Sequence, residues 1–203
     1  DLYNPKKWAR KAKEAGMKYM VITAKHHDGF CLWDTKYTSY NATKTPWGKD
    51  LLRPMLDAFR KEGIKVGLYY SLIDWRHPEY TIDFTHPMRN KSDYWKNERD
   101  MTIYQHYMKN QVTELLTNYG EIDLLFLDFT VKAKDGFPGK TSEDWDSENL
   151  LALVRKLQPQ VIINDRLDLL DNHNGWDFRS PEQFMPRQWV EHDGEKVPWE
   201  TCQ

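Results

Sequence analysis

Residues 17–29 read MKYMVITAKHHDG, and this stretch decides the fold class. Its first part is mostly apolar and rich in strand formers, which predicts a buried β-strand over residues 17–23. The strand runs directly into the polar sequence KHHDG at residues 25–29. A buried strand that ends in a group of polar side chains is typical of enzymes whose sites lie at the carboxyl edge of a parallel sheet.

The same order of helix and strand recurs along the chain. Helical patterns that end near glycine or a polar residue are predicted over residues 5–15, 51–62, 93–119 and 142–157. Short apolar strands are predicted to follow them, at residues 17–23, 64–70, 122–127 and 161–163, with two more near 176–178 and 199–202. Alternating helices and wholly apolar strands favour a parallel sheet covered by helices, an α/β fold.

Polar residues follow all four strands, and no glycine-rich nucleotide-binding motif follows any of them, which favours a (β/α)8 TIM-type barrel over a doubly wound sheet. A complete barrel needs about 250 residues. We therefore expect residues 1–203 to be a barrel present only in part, a catalytic domain that lacks the first strand and the C-terminal closing segments. Open strand edges aggregate, so the chain alone is predicted to be unstable and inactive.

Composition narrows the partner. The formal net charge is -2 at pH 7, with no basic stripe for nucleic acid and no polybasic or long apolar segment for a membrane. The chain has 9 Trp and 11 Tyr, whose rings suit the apolar faces of sugars. Cys31 and Cys202 lack metal or disulfide-scaffold spacing. A neutral polyhydroxylated partner fits best.

The predicted strand ends bring candidate catalytic side chains to one surface: His26, His27, Tyr70, Asp128 and Arg166. A carboxylate among hydrogen-bonding groups suits glycoside hydrolysis, which needs a second carboxylate. Two downstream glutamates are candidates for that role. The alternatives are structural, since an Asp after a strand often caps a helix and an Arg often pairs with a neighbouring Asp.

Two alternatives concern adjacent residues. The segment His26-His27-Asp28 contains zinc-type ligands, but neighbouring side chains on an extended backbone point to opposite faces, so no metal site is predicted. The same alternation means that only one of Tyr69 and Tyr70 faces the barrel mouth. We predict that Tyr70 binds substrate and that Tyr69 packs.

Four blocks carry a resemblance to glycoside hydrolase family 29, the retaining α-L-fucosidases. They are WARKAKEAGMKYMVITAKHHDGFCLWDTKYTSYN (8–41), GIKVGLYYSLIDW (63–75), GEIDLLFLDF (120–129) and VIINDR (161–166). The resemblance implies a cofactor-free retaining exo-α-L-fucosidase that removes terminal α-L-fucose from oligosaccharides or glycoconjugates by double displacement. It also suggests a secreted, periplasmic or lysosomal location.

Carried over motif by motif, the resemblance implies that Asp128 is the nucleophile and that His26, His27, Tyr70 and Arg166 bind fucose. Trp33 lies within the first block and Trp75 ends the second, and both are further substrate-binding candidates. Phe129 departs from the small residue often found after the nucleophile, a change that affects the pocket floor.

The resemblance also implies an acid/base. Residues 176–182, WDFRSPE, are similar to a family pattern that ends in glutamate, which makes Glu182 the predicted acid/base and Glu200 the alternative. Two other functions stay open. One is a catalytically degenerate barrel that binds fucose without cleaving it, and the other is a hydrolase for a related sugar such as L-galactose.

Overall fold

Four parallel strands in the order β1-β2-β3-β4 form the centre of the computed structural model, which describes residues 2–172 and 174–201. The strands are β1 (Tyr19–Lys25), β2 (Lys65–Ser71), β3 (Leu124–Asp128) and β4 (Ile162–Ile163). The predicted α/β fold with a parallel sheet is confirmed, and the bounds of the first four predicted strands each lie within two residues of those observed.

Helices cover one face of this sheet. They are α1 (Pro5–Glu14), α2 (Leu52–Lys61), α3 (Ser92–Trp95), α4 (Met101–Asn118), α5 (Ser142–Trp145) and α6 (Ser147–Leu157), and a short 3-10 helix spans Ala42–Lys44. The start of α1 follows from its sequence, because the Asn4 side chain accepts a 3.0 Å hydrogen bond from the Lys7 N–H and Pro5 holds the first helical position. None of the helices in the described part of the chain has the length and apolar character that a bilayer span needs.

Two of the predicted helices are each divided in two. Residues 93–119 contain α3 and α4, because the Asp100 side chain accepts from the Thr102 N–H at 2.9 Å and starts a new helix. Residues 142–157 contain α5 and α6, which are separated by Asp146 in the left-handed conformation at φ 50°. Capping chemistry therefore overrides a continuous helical pattern at both places.

The two further strands predicted near residues 176–178 and 199–202 are present only as single parallel bridges. Asn164 pairs with Phe178, and Arg179 pairs with Trp199, while Cys202 lies outside the described residues. These bridges continue the sheet beyond β4 in parallel order, as expected for part of a barrel. A two-residue hairpin, β5 (Glu191–His192) with β6 (Glu195–Lys196), lies between them in the chain.

The two faces of the sheet have different surroundings. The helix-covered face carries the main core, whereas Leu124, Phe126 and Phe178 form a small second cluster with Val21 and Tyr69. Side chains alternate between these faces along each strand. The second cluster occupies the face that is interior in a barrel, and its strands lead to the candidate site.

An irregularity in β1 shapes the loop that follows it. The register with β2 shifts between Thr23 and Lys25, so that Ala24 is an extra residue. Lys25 is fully buried, 3.3 Å from Asp74, and its ammonium group lies 4.5 Å from the centre of the Tyr70 ring. Gly29, at φ 80°, lies against Asp74, where a Cβ atom would approach a carboxylate oxygen to 2.4 Å. Only glycine fits this approach.

Candidate active site

Asp128 ends β3 and is the centre of the candidate site. Its backbone is in register with Ser71 at the end of β2, which places both residues at the carboxyl edge of the sheet. Oδ2 of Asp128 accepts a 2.7 Å hydrogen bond from the Tyr69 hydroxyl, and Oδ1 lies 3.3 Å from Nη1 of Arg166. The carboxylate therefore has a phenol on one oxygen and a guanidinium on the other.

Arg166 joins this carboxylate to a second one. Its Nη2 atom donates to Glu182 at 3.0 Å while Nη1 contacts Asp128. Ser180 holds the guanidinium in place, since Nε donates to its hydroxyl at 2.9 Å and Nη2 to its carbonyl at 2.7 Å. Asp165 instead pairs with Arg179 at 2.6 Å. The structural alternative in which Arg166 neutralises its neighbour Asp165 is therefore wrong.

The environment of Asp128 changes its acidity. Burial raises the pKa of Asp128 above its ordinary value, because the charged form loses hydration. The Tyr69 hydrogen bond and the positive charge of Arg166 oppose this rise, whereas the negative charge of Glu182 adds to it. Tyr69 itself has a raised pKa, chiefly from burial and then from Asp128, so its hydroxyl stays protonated and donates.

The histidine pair lies beside this group. The two imidazole rings are 4.0 Å apart, and His26 stacks on Tyr69 at 5.5 Å with an interplanar angle of 9°. The prediction that the two neighbouring side chains point to opposite faces is wrong, because residues 26–28 leave β1 and enter a turn. Within residues 2–172 and 174–201, no group of three or more His, Cys, Asp or Glu side chains could hold a metal ion.

His27 has an aromatic and apolar setting. Trp75 lies 5.2 Å away, Phe129 contacts it edge-on at 5.9 Å, and its Nδ1 is 2.6 Å from the Ser71 hydroxyl. Burial and the positive charges of His26 and Lys25 lower the pKa of His27 to about 4. The imidazole is therefore neutral near neutral pH, and the structure brings both Trp75 and Phe129 to the site.

Trp75 also carries an unsatisfied group. Its indole Nε1 is buried and has no hydrogen-bond partner in the described part of the chain. Its backbone N–H donates to the His27 carbonyl at 2.8 Å, which fixes the two residues relative to each other. A buried donor without a partner beside a site is a candidate contact for a bound hydroxyl group.

Two predicted substrate-binding residues lie elsewhere. Tyr70 has no exposed surface and donates at 2.8 Å to Gln111 of α4, on the helix-covered side. Trp33 is 1% exposed, and its Nε1 donates to Glu114 at 3.1 Å. Both predictions are corrected, since neither ring reaches the face that carries Asp128. Tyr69 takes the place that was assigned to Tyr70, and only the register of β2 against β3 distinguishes the two.

The two candidate acids are in different surroundings. Glu182 is exposed and contacts Arg166, whereas Glu200 is half-buried. Burial raises the pKa of Glu200, and a hydrogen bond with the Tyr19 side chain opposes this rise more weakly. No hydrogen bond or ion pair in the described structure joins Glu200 to Asp128 or Arg166. The geometry brings Glu182, not Glu200, to the nucleophile candidate.

Comparisons with known proteins identify the family of this chain. The profile of the family described as alpha-L-fucosidase matches residues 1–203. The bovine (Bos taurus) tissue alpha-L-fucosidase is 29% identical over 205 residues, which are 98% of this chain and 39% of the relative.

Solved structures give the same result. Alpha-L-fucosidase isoenzyme 1 from Paenibacillus thiaminolyticus superposes with a TM-score of 0.91 at 48% identity, over 99% of this chain and 48% of that one. Alpha-L-fucosidase AlfC from Lactobacillus casei, solved with its α-L-fucose product, gives 0.76 at 27% identity, over 98% of this chain and 60% of that one. The chain thus spans about half or less of the length of the first two relatives. It belongs to the alpha-L-fucosidase family, glycoside hydrolase family 29.

Proposed function

We propose that the protein is a retaining exo-α-L-fucosidase in which Asp128 is the nucleophile and Glu182 the acid/base. The observation that carries this proposal is the guanidinium of Arg166, which contacts both carboxylates at 3.3 and 3.0 Å. Retaining glycosidases need two carboxyl groups close together, roughly 5 Å apart, on the two sides of the scissile bond. Because one guanidinium contacts both carboxylates, it holds Asp128 and Glu182 on the same side of the sheet edge, near each other.

In the first step, ionised Asp128 attacks the anomeric carbon of the fucoside from the face opposite the leaving group. The bond from that carbon to the aglycone oxygen breaks, and protonated Glu182 gives its proton to the departing oxygen. The product is a β-linked fucosyl ester of Asp128. In the second step, Glu182 removes a proton from water and the oxygen of that water attacks the anomeric carbon. The bond from that carbon to the Asp128 oxygen breaks, which restores the Asp128 carboxylate and releases fucose in the α configuration.

The neighbours of Asp128 support this role. Tyr69 and Arg166 both lower the pKa of Asp128 against the effect of burial, which favours the ionised nucleophile. The carboxylate loses its negative charge when it forms the ester, so its partial removal from water by burial favours the attack. Arg166 also stabilises the carboxylate of Glu182 after it has given up its proton.

The substrate class follows from the relatives. One AlfC structure holds Fucα(1,6)GlcNAc and another holds α-L-fucose, so a fucosylated oligosaccharide or glycoconjugate is the proposed substrate. His26, His27 and Trp75 offer polar ring atoms for hydroxyl groups, and Phe129 offers an apolar surface.

The test is azide rescue with 4-nitrophenyl α-L-fucoside, on the protein produced at full length. Asp128→Ala should lose activity and form β-L-fucosyl azide, because azide then attacks directly from the vacated face. Glu182→Ala should form α-L-fucosyl azide, because azide replaces water in the second step. Glu200→Ala is the matched control and should keep full turnover.

Three results would overturn the proposal or part of it. Unchanged turnover in Glu182→Ala together with loss in Glu200→Ala would move the acid/base to Glu200. First-formed β-fucose, seen by NMR, would exclude retention. An inactive wild-type protein that still binds fucose would support the binding function instead of hydrolysis.

A further inference from the structure

The hydroxyl group of Ser71 has two neighbours and one proton. It lies 2.8 Å from the carbonyl oxygen of Ile73 and 2.6 Å from Nδ1 of His27. A carbonyl oxygen only accepts hydrogen bonds, so the contact with Ile73 uses the serine proton. The contact with His27 is then satisfied only if the imidazole donates. If the serine proton went to Nδ1 instead, two oxygen lone pairs would face each other at 2.8 Å in a fully buried place.

We propose that Ser71 is a positioning residue that keeps the proton of neutral His27 on Nδ1 and leaves Nε2 as an acceptor for a hydroxyl group of the sugar. The first half of this proposal concerns the tautomer and stands on the hydrogen-bond geometry alone. The second half rests on the proposed function, because it names the ligand.

The surroundings of His27 favour a neutral, fixed ring. Burial, His26 and Lys25 disfavour the imidazolium, and the carboxylates of Asp28 and Asp83 oppose them more weakly. These groups leave the pKa of His27 at about 4, so one ring nitrogen is unprotonated at neutral pH. Nε2 has no partner in the described part of the chain, and Trp75 fixes the backbone through the His27 carbonyl.

The position of Ser71 links this ring to the nucleophile. Ser71 is the register partner of Asp128, so the two residues that set the histidine tautomer and carry out the attack lie side by side at the ends of β2 and β3. An unprotonated Nε2 selects for a ligand group that donates a hydrogen bond. A fluorine atom cannot donate a hydrogen bond. A fucose in which fluorine replaces the hydroxyl group that contacts Nε2 is therefore expected to lose this contact.

The tautomer is tested by ¹⁵N NMR of the histidine side chains in the full-length protein, with His27 assigned through His27→Gln. Wild type should show a protonated Nδ1 and an unprotonated Nε2 at neutral pH. Ser71→Ala should lose this preference, and Ser71→Cys, which keeps a weak acceptor, should restore part of it. The matched control is Ser147→Ala, because Ser147 is also buried and its hydroxyl has no partner.

The ligand half is tested by fucose binding to the same variants. Ser71→Ala should weaken fucose affinity about tenfold, the effect of losing one hydrogen bond of about 1.4 kcal/mol, while Ser147→Ala leaves it unchanged. A protonated Nε2 in wild type, or equal tautomers in wild type and Ser71→Ala, would overturn the proposal. Wild type with the stated tautomer and no fucose affinity would keep the positioning role and contradict the proposed function instead.

Discussion

The hydroxyl of Tyr69 donates to Oδ2 of Asp128 at 2.7 Å, while the next residue along β2, Tyr70, donates to Gln111 on the other face of the sheet. Two chemically identical neighbours thus serve different purposes. One adjusts the acidity of the proposed nucleophile, and the other joins the sheet to α4. This difference separates effects on activity from effects on stability.

Tyr69→Phe is expected to lower kcat/KM by roughly 10- to 100-fold, because the carboxylate loses a hydrogen bond of about 1–3 kcal/mol in a buried site. The Tyr69 hydrogen bond lowers the pKa of Asp128, so its removal raises that pKa. The acidic limb of the kcat/KM profile should therefore move to higher pH. A profile identical to wild type would contradict the assigned contact.

Tyr70→Phe is the matched control. It removes a buried hydrogen bond to Gln111, so the free energy of unfolding should fall by about 1–3 kcal/mol. Urea denaturation measures this loss, and kcat/KM of the folded protein should stay within about twofold of wild type. A large activity loss here would return Tyr70 to the site.

Arg166→Lys keeps the positive charge and removes the two-pronged geometry that joins Asp128 to Glu182. A lysine ammonium is a point charge and does not hold both carboxylates with Ser180 as well, so kcat/KM should fall by about 100-fold or more. Arg155→Lys, which alters the separate pair with Asp177, is the control and should keep activity. An equal fall of kcat/KM in Arg166→Lys and Arg155→Lys would contradict a specific role for Arg166.

Asp128→Asn should be inactive and should gain stability relative to wild type as pH rises. Burial raises the folded-state pKa of Asp128, so ionisation opposes folding. In wild type this loss is absent below the unfolded pKa of about 3.9 and is complete above the raised folded value. The difference in unfolding free energy between variant and wild type should therefore be larger at about pH 7 than at about pH 3.5. A pH-independent difference would contradict the direction of the shift.

Trp33→Phe should affect stability alone. The ring is 1% exposed and its Nε1 donates to Glu114, so the change leaves a buried carboxylate with one donor fewer. Unfolding free energy should fall by about 1–3 kcal/mol in urea denaturation, with KM for the fucoside unchanged. A raised KM with unchanged stability would place Trp33 at the substrate.

The fold was predictable because each strand is a short apolar run after a helix with a clear stop, and these local signals are sufficient to identify a parallel sheet. The bounds of the helices were less predictable. Asp100 begins α4 through its side chain, and Asp146 separates α5 from α6 through its left-handed backbone, neither of which a helical pattern reveals.

Candidate site residues at or after the end of a strand could be predicted from the sequence, whereas those inside a strand could not. Asp128, Arg166 and Glu182 meet because strand ends converge, and their chemistry stands out in the sequence. Tyr69 was missed because the face on which a residue lies depends on how its strand pairs with the neighbouring strand. The sequences of β1 and β2 do not indicate that register. Ser71 lies at a predicted strand end, but no role could be predicted for it, since that role depends on the carbonyl of Ile73.

The extra residue at Ala24 has a consequence for how this chain is aligned and edited. Ala24 belongs to the helix-covered core, and Lys25 pairs with Tyr70 and lies over its ring in that same core, so two successive side chains of β1 face one side of the sheet. A gap placed elsewhere in β1 would assign every residue between that gap and the extra residue to the wrong face of the sheet. In any alignment or designed variant of this chain, the length of β1 up to His26 is therefore as much a determinant of the site as the identity of the two histidines.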